Sequence, residues 1–374
     1  MTNPITDLLL STARHDPATL AAMGDGPSRL VVVDDPDGSL ALAATQWGVP
    51  VHVRCASRAA ALAVRAAVAG TDIPVTGEWP DPAEHGEGSA SGPTLVLAHL
   101  PKSLRGVESL AHAAADLGQQ TPKASAPQDV VLVGGARLKY MTPTMNEVLM
   151  QRFEHVHATR AQRKSRCLVA SGPRPHVDRT PMQNPVHAEG VDLTLCAVGD
   201  VFNGAEADHG SLLLLDALAE HGPDTPQLIH DLGCGNGLLT AWLAHRFPEA
   251  HIVASDDSRD AVASTRATLA ASFTGPHEDR VQVSWQDRAS DEPPASTDLV
   301  VLNPPFHRGG AIDTDLSTKL IDAGVRLLRP GGQLWVVYNS HLRHRRHLEQ
   351  YGRVEQMARD PRFTVVRMTY DRWS

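Results

Sequence analysis

The chain has 374 residues, too many for one ordinary hydrophobic core and about right for two. Hydrophobic residues make up 42% and aromatic ones only 4%, so those cores must be built from Ala, Leu and Val. The formal charge of −9 excludes a protein coated in positive charge, although a local basic patch can still hold phosphates on an acidic chain.

The N-terminal half alternates short apolar runs with helical patterns. Residues 29–33 (RLVVV), 51–54 (VHVR), 94–98 (TLVLA) and 130–133 (VVLV) predict strands. Residues 40–46, 59–69 and 104–117 predict the helices between them, and 76–93 reads as a loop. Such alternation implies a parallel sheet with helices on its faces. Residues 173–190 are rich in proline and read as a linker, which gives domains at 1–172 and 191–374. In the second half, strands are expected at 228–231, 251–255, 281–285, 299–302, 333–338 and 363–368. Helices are expected at 237–246, 259–271 and 316–328, so this half reads as a doubly wound, nucleoside-binding α/β domain. LVLAHLPKS (95–103) lies in its half where LVVLNPPFH (299–307) lies in the other, which suggests a duplication. The first copy lacks a glycine-rich turn after its first strand, so it is expected to keep the fold without holding a cofactor.

Cys55, Cys167, Cys196 and Cys234 are widely spaced, with neither the paired spacing of a zinc site nor the density of a disulfide framework. No metal is expected. The start lacks a signal-peptide pattern, and no apolar run reaches the roughly 18 residues of a membrane helix. The expectation is a cytoplasmic protein without a membrane partner.

Four features carry chemistry. Asp231, Gly233, Cys234, Gly235 and Gly237 fall in DLGCGNG, between a strand and a helix. Glycines there let a ligand approach the backbone, because no Cβ is in the way. Asp256 ends the next strand 23 residues beyond Gly233, a distance suited to accepting from ribose hydroxyls. Asp257 is adjacent and competes for that role. Asp287 follows the strand VQVSW and faces the same crevice, where it would accept from an adenine amine.

The fourth feature is Asn303-Pro304-Pro305-Phe306, after the strand DLVVL. Two prolines stiffen the loop and remove two donors, leaving carbonyls to accept. The Asn303 side chain and the Pro304 carbonyl would take both N–H bonds of an amine on an aromatic ring. That favours a localised lone pair, with Phe306 as a flat stacking face. A glycine-rich turn followed by NPPF is the combination that methylation of such an amine requires.

DLGCGNG with NPPF at this separation resembles the class I amine methyltransferases. NPPFHRGG (303–310), with His307, is similar to the ribosomal RNA guanine-N2 methyltransferase family. VFNGAEADHGSLLLLDAL (201–218) resembles that family's segment before the glycine-rich strand. LAHLPKSL (97–104), GGARLKYMTPTMNEVL (134–149) and YNSHLRHRRHL (338–348) look more like its large-subunit branch, although Ser340 stands where a basic residue is expected. The resemblance implies two tandem Rossmann-like class I methyltransferase domains, the N-terminal one degenerate and presenting RNA. It implies S-adenosylmethionine as cofactor and ribosomal RNA, naked or in an assembling subunit, as partner. It also places Phe202 and the turn 208–211 near the cofactor. Arg160, Arg163, Lys164 and Arg166 form one candidate RNA-contacting cluster. Arg343, Arg345 and Arg346, among His341, His344 and His347, form another. The readings left open are a small-subunit target, an amine on adenine or on a protein glutamine, and a non-catalytic RNA-binding protein.

Overall fold

The computed structural model describes residues 3–79, 92–118, 129–273, 275, 279–305, 307–308, 311–312 and 314–371. Contacts within the chain divide it into two units at residues 179/180.

The first unit opens with two helices that sequence patterning left unassigned. Asn3 caps α1 (Pro4–His15) through its side chain, and proline follows at the first helical position. Asp16 ends α1 and caps α2 (Pro17–Met23), accepting from the N–H groups of Ala18 and Thr19. The pairs Asn3-Pro4 and Asp16-Pro17 were the readable start signals. β1 (Arg29–Val33) is buried at every residue, as a central parallel strand must be. There follow α3 (Ser39–Ala44), β2 (Val51–Arg54), α4 (Arg58–Ala67), β3 (Val75–Thr76), β4 (Thr94–His99), α5 (Leu104–Asp116) and β5 (Val130–Arg137). After α6 (Thr144–Met150), β6 (Phe153–Ala158) and β7 (Ser165–Pro173) close the sheet as antiparallel strands, in the order β3-β2-β1-β4-β5-β7-β6.

The second unit begins inside the expected linker, and that expectation is corrected there. β8 (Met182–Ala188) pairs with β9 (Val191–Ala197) around a two-residue turn, Glu189 and Gly190, both at positive φ. Pro185 is tolerated because this is a separate two-stranded sheet. α7 (His209–His221), β10 (Leu228–Leu232), α8 (Leu238–Arg246), β11 (His251–Asp256), α9 (Arg259–Ser272), β12 (Val281–Trp285) and β13 (Thr297–Leu302) follow. The small hairpin β14 (His307–Arg308) and β15 (Ala311–Ile312) precedes α10 (Thr314–Leu327), β16 (Leu328–Asn339), α11 (His344–Leu348), β17 (Gly352–Arg359) and β18 (Phe363–Tyr370).

The order β12-β11-β10-β13-β16-β18-β17 repeats the strand order of the first unit, position for position. The expected parallel strands are present in both. The late strand at 363–368 exists but runs antiparallel to β16. The core of this sheet lies on both its faces, one under α7 and α8 around Trp242 and Trp335, the other under α10 around Ile321 and Leu334. β9 docks on α9 through hydroxyls one turn apart. Ser264, Thr268 and Ser272 accept from the N–H groups of Val198, Cys196 and Thr194, at 2.9, 2.8 and 3.0 Å.

Candidate active site

The glycine-rich turn leaves β10 at the carboxyl end of the sheet, where parallel α/β folds bind ligands. Gly233 and Gly235 have φ of +88° and +55°, and among the described residues nothing lies within 4 Å of where a Cβ would stand on either. The backbone is therefore bare towards the crevice. Gly237 differs. Its φ is +84°, and a Cβ there would lie 2.9 Å from the Cα of Thr265 on α9, so its glycine is required by helix packing. Cys234 is buried, its N–H bonded to the Ser255 carbonyl at 3.1 Å, and burial pushes its thiol well above the usual range.

Two carboxylates support the turn. Asp231 is fully buried; its Oδ2 accepts from the Thr240 hydroxyl at 2.5 Å and its Oδ1 has no partner among the described residues. Burial, with the Asp256 charge nearby, raises its carboxyl to about 7. Asp256 Oδ2 accepts from the Gly235 N–H at 3.1 Å and Oδ1 from the Ser258 N–H at 2.8 Å. Burial raises its carboxyl to about 6, against those two stabilising bonds. Asp256, rather than Asp257, is thus the acid hydrogen-bonded to the bare turn.

Asn236, in the middle of the turn, was not singled out by the sequence. Its Nδ2 donates to the carbonyls of Gly204 and Glu206, both at 2.9 Å, and its own carbonyl accepts from Thr268 Oγ1 at 2.7 Å. It pins the segment that leads to α7 against the turn. Phe202, on that segment, is 68% exposed. A few residues on, Asp208 caps α7 by accepting the Ser211 N–H at 3.0 Å.

The same Asp208 Oδ2 accepts from Asn303 Nδ2 at 2.9 Å, and Ser211 Oγ accepts from Nδ2 at 2.8 Å. Both protons of the Asn303 amide are thereby engaged, which fixes which way the amide faces. Its Oδ1 is buried and has no partner among the described residues. Pro304 is buried and Pro305 exposed, and among the described residues the Pro304 carbonyl accepts no hydrogen bond. A buried, unpaired acceptor is costly, at about 1–3 kcal/mol, unless a donor arrives. Asn303 sits one residue past Leu302, which pairs with Leu232 immediately before Gly233, so the acceptor and the bare turn emerge side by side. Phe306, Gly309 and Gly310 lie outside the described residues.

Other expected positions are arranged differently. Both oxygens of Asp287 are taken by the neighbouring Arg288, at 2.8 and 2.7 Å, and among the described residues no hydrogen bond ties it to the turn. Arg160, Arg163 and Lys164 are exposed around the β6–β7 turn, while Arg166 is half-buried on β7. The second basic cluster is thinner than its sequence. His344 is buried, and burial holds its imidazole below the usual range. His347 bonds Asp322, and Arg345 bonds Glu349 at 2.8 Å. Arg343 and Arg346 remain as its exposed arginines without an ion pair among the described residues. Ser340 bonds Thr364 Oγ1 at 2.8 Å and serves the sheet. No group of metal-ligating side chains occurs among the described residues, and no described helix is long and apolar enough to cross a membrane.

The first unit has a turn of the same length in the same place. Gly38 caps α3 as Gly237 caps α8, with φ +79° and its Cβ position blocked by Ala67 of α4. Between β1 and Gly38 the chain has Asp34, Asp35, Pro36 and Asp37, where the second unit has Gly233, Cys234, Gly235 and Asn236. Pro36 replaces a glycine at positive φ with a residue that has neither that freedom nor an N–H. His99 occupies the place of Asn303, and burial lowers its imidazole to about 4.

Comparisons with known proteins agree with this division. Residues 7–174 match the RLMG N-terminal domain, and residues 192–367 match the Methyltransferase small domain. A protein of Stutzerimonas stutzeri named ribosomal RNA large subunit methyltransferase G is 29% identical over 355 residues, 94% of this chain and 90% of the relative. One of the same name from Streptomyces griseus is 32% identical over 284 residues, 73% of this chain and 70% of the relative. The T. thermophilus 16S rRNA N2 methyltransferase RsmC, solved with AdoMet and guanosine, matches at a TM-score of 0.74 and 23% identity. That match covers 98% of this chain and 92% of that one, and shows the shared fold of two Rossmann-like methyltransferase domains. The chain belongs to the ribosomal RNA large subunit methyltransferase G family.

Proposed function

We propose that this protein transfers a methyl group from S-adenosylmethionine to the exocyclic N2 amine of a guanine in 23S ribosomal RNA. The observation that carries the reading is Asn303. Its amide is held by Asp208 and Ser211 so that a buried Oδ1 is left without a partner among the described residues, beside a glycine turn bare of side chains. Two relatives named as large-subunit methyltransferases support the choice of subunit.

The bare backbone at Gly233 and Gly235 and the carboxylate of Asp256 fit S-adenosylmethionine, which supplies an electrophilic methyl group when bound. Phe202, Asp231, Cys234 and Gly237 complete that side of the site, Asp231 and Gly237 by supporting the turn. Asp287 would take part once its carboxylate turns from Arg288. On the substrate side, the guanine amine donates one N–H to Asn303 Oδ1 and the other to the Pro304 carbonyl, with Phe306 stacking on the base. The amine nitrogen then attacks the methyl carbon as the bond from that carbon to sulfur breaks. Positive charge grows on the nitrogen, and two oriented acceptors stabilise it without reorganising. The surplus proton leaves to solvent afterwards. A guanine that is paired must first leave its stack, at a cost of a few kcal/mol. Arg160, Arg163, Lys164, Arg166, Arg343 and Arg346 would contact phosphates. Arg345 would have to leave Glu349 to do so.

The test is transfer of labelled methyl from S-adenosylmethionine to separated ribosomal RNAs and subunits, with nucleoside analysis of the product. N2-methylguanine in large-subunit RNA is expected. The same product in small-subunit RNA alone would overturn the choice of subunit. Label in protein or DNA alone would overturn RNA as the substrate. Asn303→Ala is expected to lower kcat on the order of 10²–10³-fold while leaving cofactor affinity near wild type; near-normal turnover would remove Asn303 from the chemistry.

A further inference from the structure

The carboxyl edge of the first unit's sheet has lost its cofactor turn but is not bare. β4 runs out through His99, Leu100 and Pro101 to Lys102. β5 runs out through Arg137 into a single helical turn, Leu138–Tyr140. The two exits meet at one ring. Lys102 Nζ lies 4.5 Å from the centroid of Tyr140, and Lys139 Nζ lies 4.6 Å from it. A hydrogen bond from Lys139, and the charges of Lys139, Lys102 and Arg137, hold the Tyr140 phenol below its usual range, so all four groups share one electrostatic neighbourhood.

Lys102, Arg105, Arg137 and Lys139 are exposed, and among the described residues none is held in an ion pair. That is unusual in a chain with 43 acidic residues against 34 basic ones. Cations gathered on one ring repel one another, and among the described residues no carboxylate pairs with them. Such a cluster is complementary to a polyanion. Tyr140 does more than fill space. Cation–π contact orders two flexible lysine stems before any ligand arrives, so less rotamer freedom is lost on binding. Aromatic and basic side chains interleaved in this way suit a nucleic-acid backbone. The place matters too. Lys102 follows Pro101 as Phe306 follows Pro305, so the feature stands where the other unit keeps its loop for a base.

We propose that Lys102, Arg137 and Lys139, gathered around Tyr140, are the surface on which the N-terminal unit grips the phosphodiester backbone of the RNA substrate. This rests on the reading of the protein as an RNA methyltransferase. It gives a purpose to the segments LPKS and GGARLKY, which neither the cofactor nor the amine requires.

The experiment uses the full chain and a labelled 23S RNA transcript, with binding followed by fluorescence anisotropy across a range of salt concentrations. Lys102→Gln with Lys139→Gln should reduce the steepness of log affinity against log salt by about 1.4–1.8, the share of two phosphate contacts. It should raise KM for RNA roughly tenfold at unchanged kcat, since the contacts are made to the RNA backbone and not to the reacting amine. Affinity for S-adenosylmethionine by calorimetry should not move, which also reports that the chain is folded. Tyr140→Ala should weaken binding without flattening the salt dependence, and Tyr140→Phe should restore it. Binding is read without methyl transfer, so the two readings fail separately. No label in any RNA, with the salt dependence flattened as expected, would overturn the methylation reading alone. Label in RNA, with salt dependence and KM at wild-type values in the double variant, would overturn the grip.

Discussion

Gly235 and Gly237 stand two residues apart in one turn and are glycines for different reasons. At Gly235 an added methyl meets nothing among the described residues, so Gly235→Ala carries only the strain of a left-handed backbone, about 1–2 kcal/mol. On the proposed reading the methyl would instead occupy space the cofactor needs. At Gly237 the methyl meets backbone of α9 at 2.9 Å as well as the strain of its φ. Gly237→Ala should therefore cost about 3–5 kcal/mol of stability. Denaturant unfolding and calorimetric cofactor titration should separate the two: Gly235→Ala folded but poor in affinity, Gly237→Ala poorly folded. Equal behaviour of the two variants would mean the bare backbone at Gly235 is not the cofactor's bed. Asp208 poses a second contrast at this scale. It reaches the proposed chemistry only through Asn303, so it positions rather than reacts. Asp208→Ala frees the Asn303 amide to turn, and should lower kcat by roughly 10²-fold with little change in KM. Asp208→Asn keeps an acceptor of the same shape for both Asn303 and the α7 cap, and should recover most of that loss. No recovery would assign the effect to the charge instead.

The strand–turn–helix unit from β10 to α8 was legible in the sequence, because its glycines, its Asp231 and its apolar strand follow one another without interruption. What lies beside it was not. Asn236 pins the chain that carries Asp208, yet a lone Asn between two glycines looks like any turn residue. The β8–β9 hairpin was hidden by Pro185 and by the proline-rich run before it, although Glu189-Gly190 is a two-residue turn signal. The stripe of Ser264, Thr268 and Ser272 that holds β9 has helical spacing, but hydroxyls on a helix carry no hydrophobic period to read. β6 and β17 escaped because an antiparallel edge strand mixes exposed and buried residues, where the central strands are uniformly apolar. The turn also makes stability depend on pH. Asp231 has a folded value of about 7 against an ordinary 3.8, so the folded chain retains a proton that the unfolded chain releases. Its neutral form is in place below the ordinary value, and stability falls as pH rises towards 7. Asp256, at about 6, adds a fall of the same sign. Asp231→Asn keeps an acceptor for Thr240 and cannot ionise. Melting temperatures from pH 4 to 8 should show the variant gaining on wild type as pH rises. A constant difference across that range would mean Asp231 stays ionised throughout.

At the scale of the molecule, two sheets share one strand order and one turn length, and only one carries the glycine-rich turn. The glycine that packs a helix survives in both copies, as Gly38 and Gly237, because the fold needs it wherever it is used. Gly233 and Gly235 have no glycine counterpart in the first unit, which has Asp34 and Pro36 there. Asp34 accepts from the Ala56 N–H at 2.7 Å and faces Arg54 at 3.7 Å, so that position now serves the β1–β2 junction. Asp35 is buried and accepts from the Ala41 N–H at 2.9 Å, tying the turn to α3. Pro36 presents a ring where Gly235 presents bare backbone. The duplication was readable from LVLAHLPKS against LVVLNPPFH. The expectation that this copy holds no cofactor rests on its missing glycines. The reuse of the vacated edge was not, since it depends on two strand exits meeting at Tyr140. A direct consequence is stoichiometry. Titration of the full chain with S-adenosylmethionine should give one site per chain, and Gly235→Ala should abolish that single isotherm. A second binding event that survives Gly235→Ala would mean that the turn at Asp34–Gly38 still holds a nucleoside, despite Pro36 and its three carboxylates.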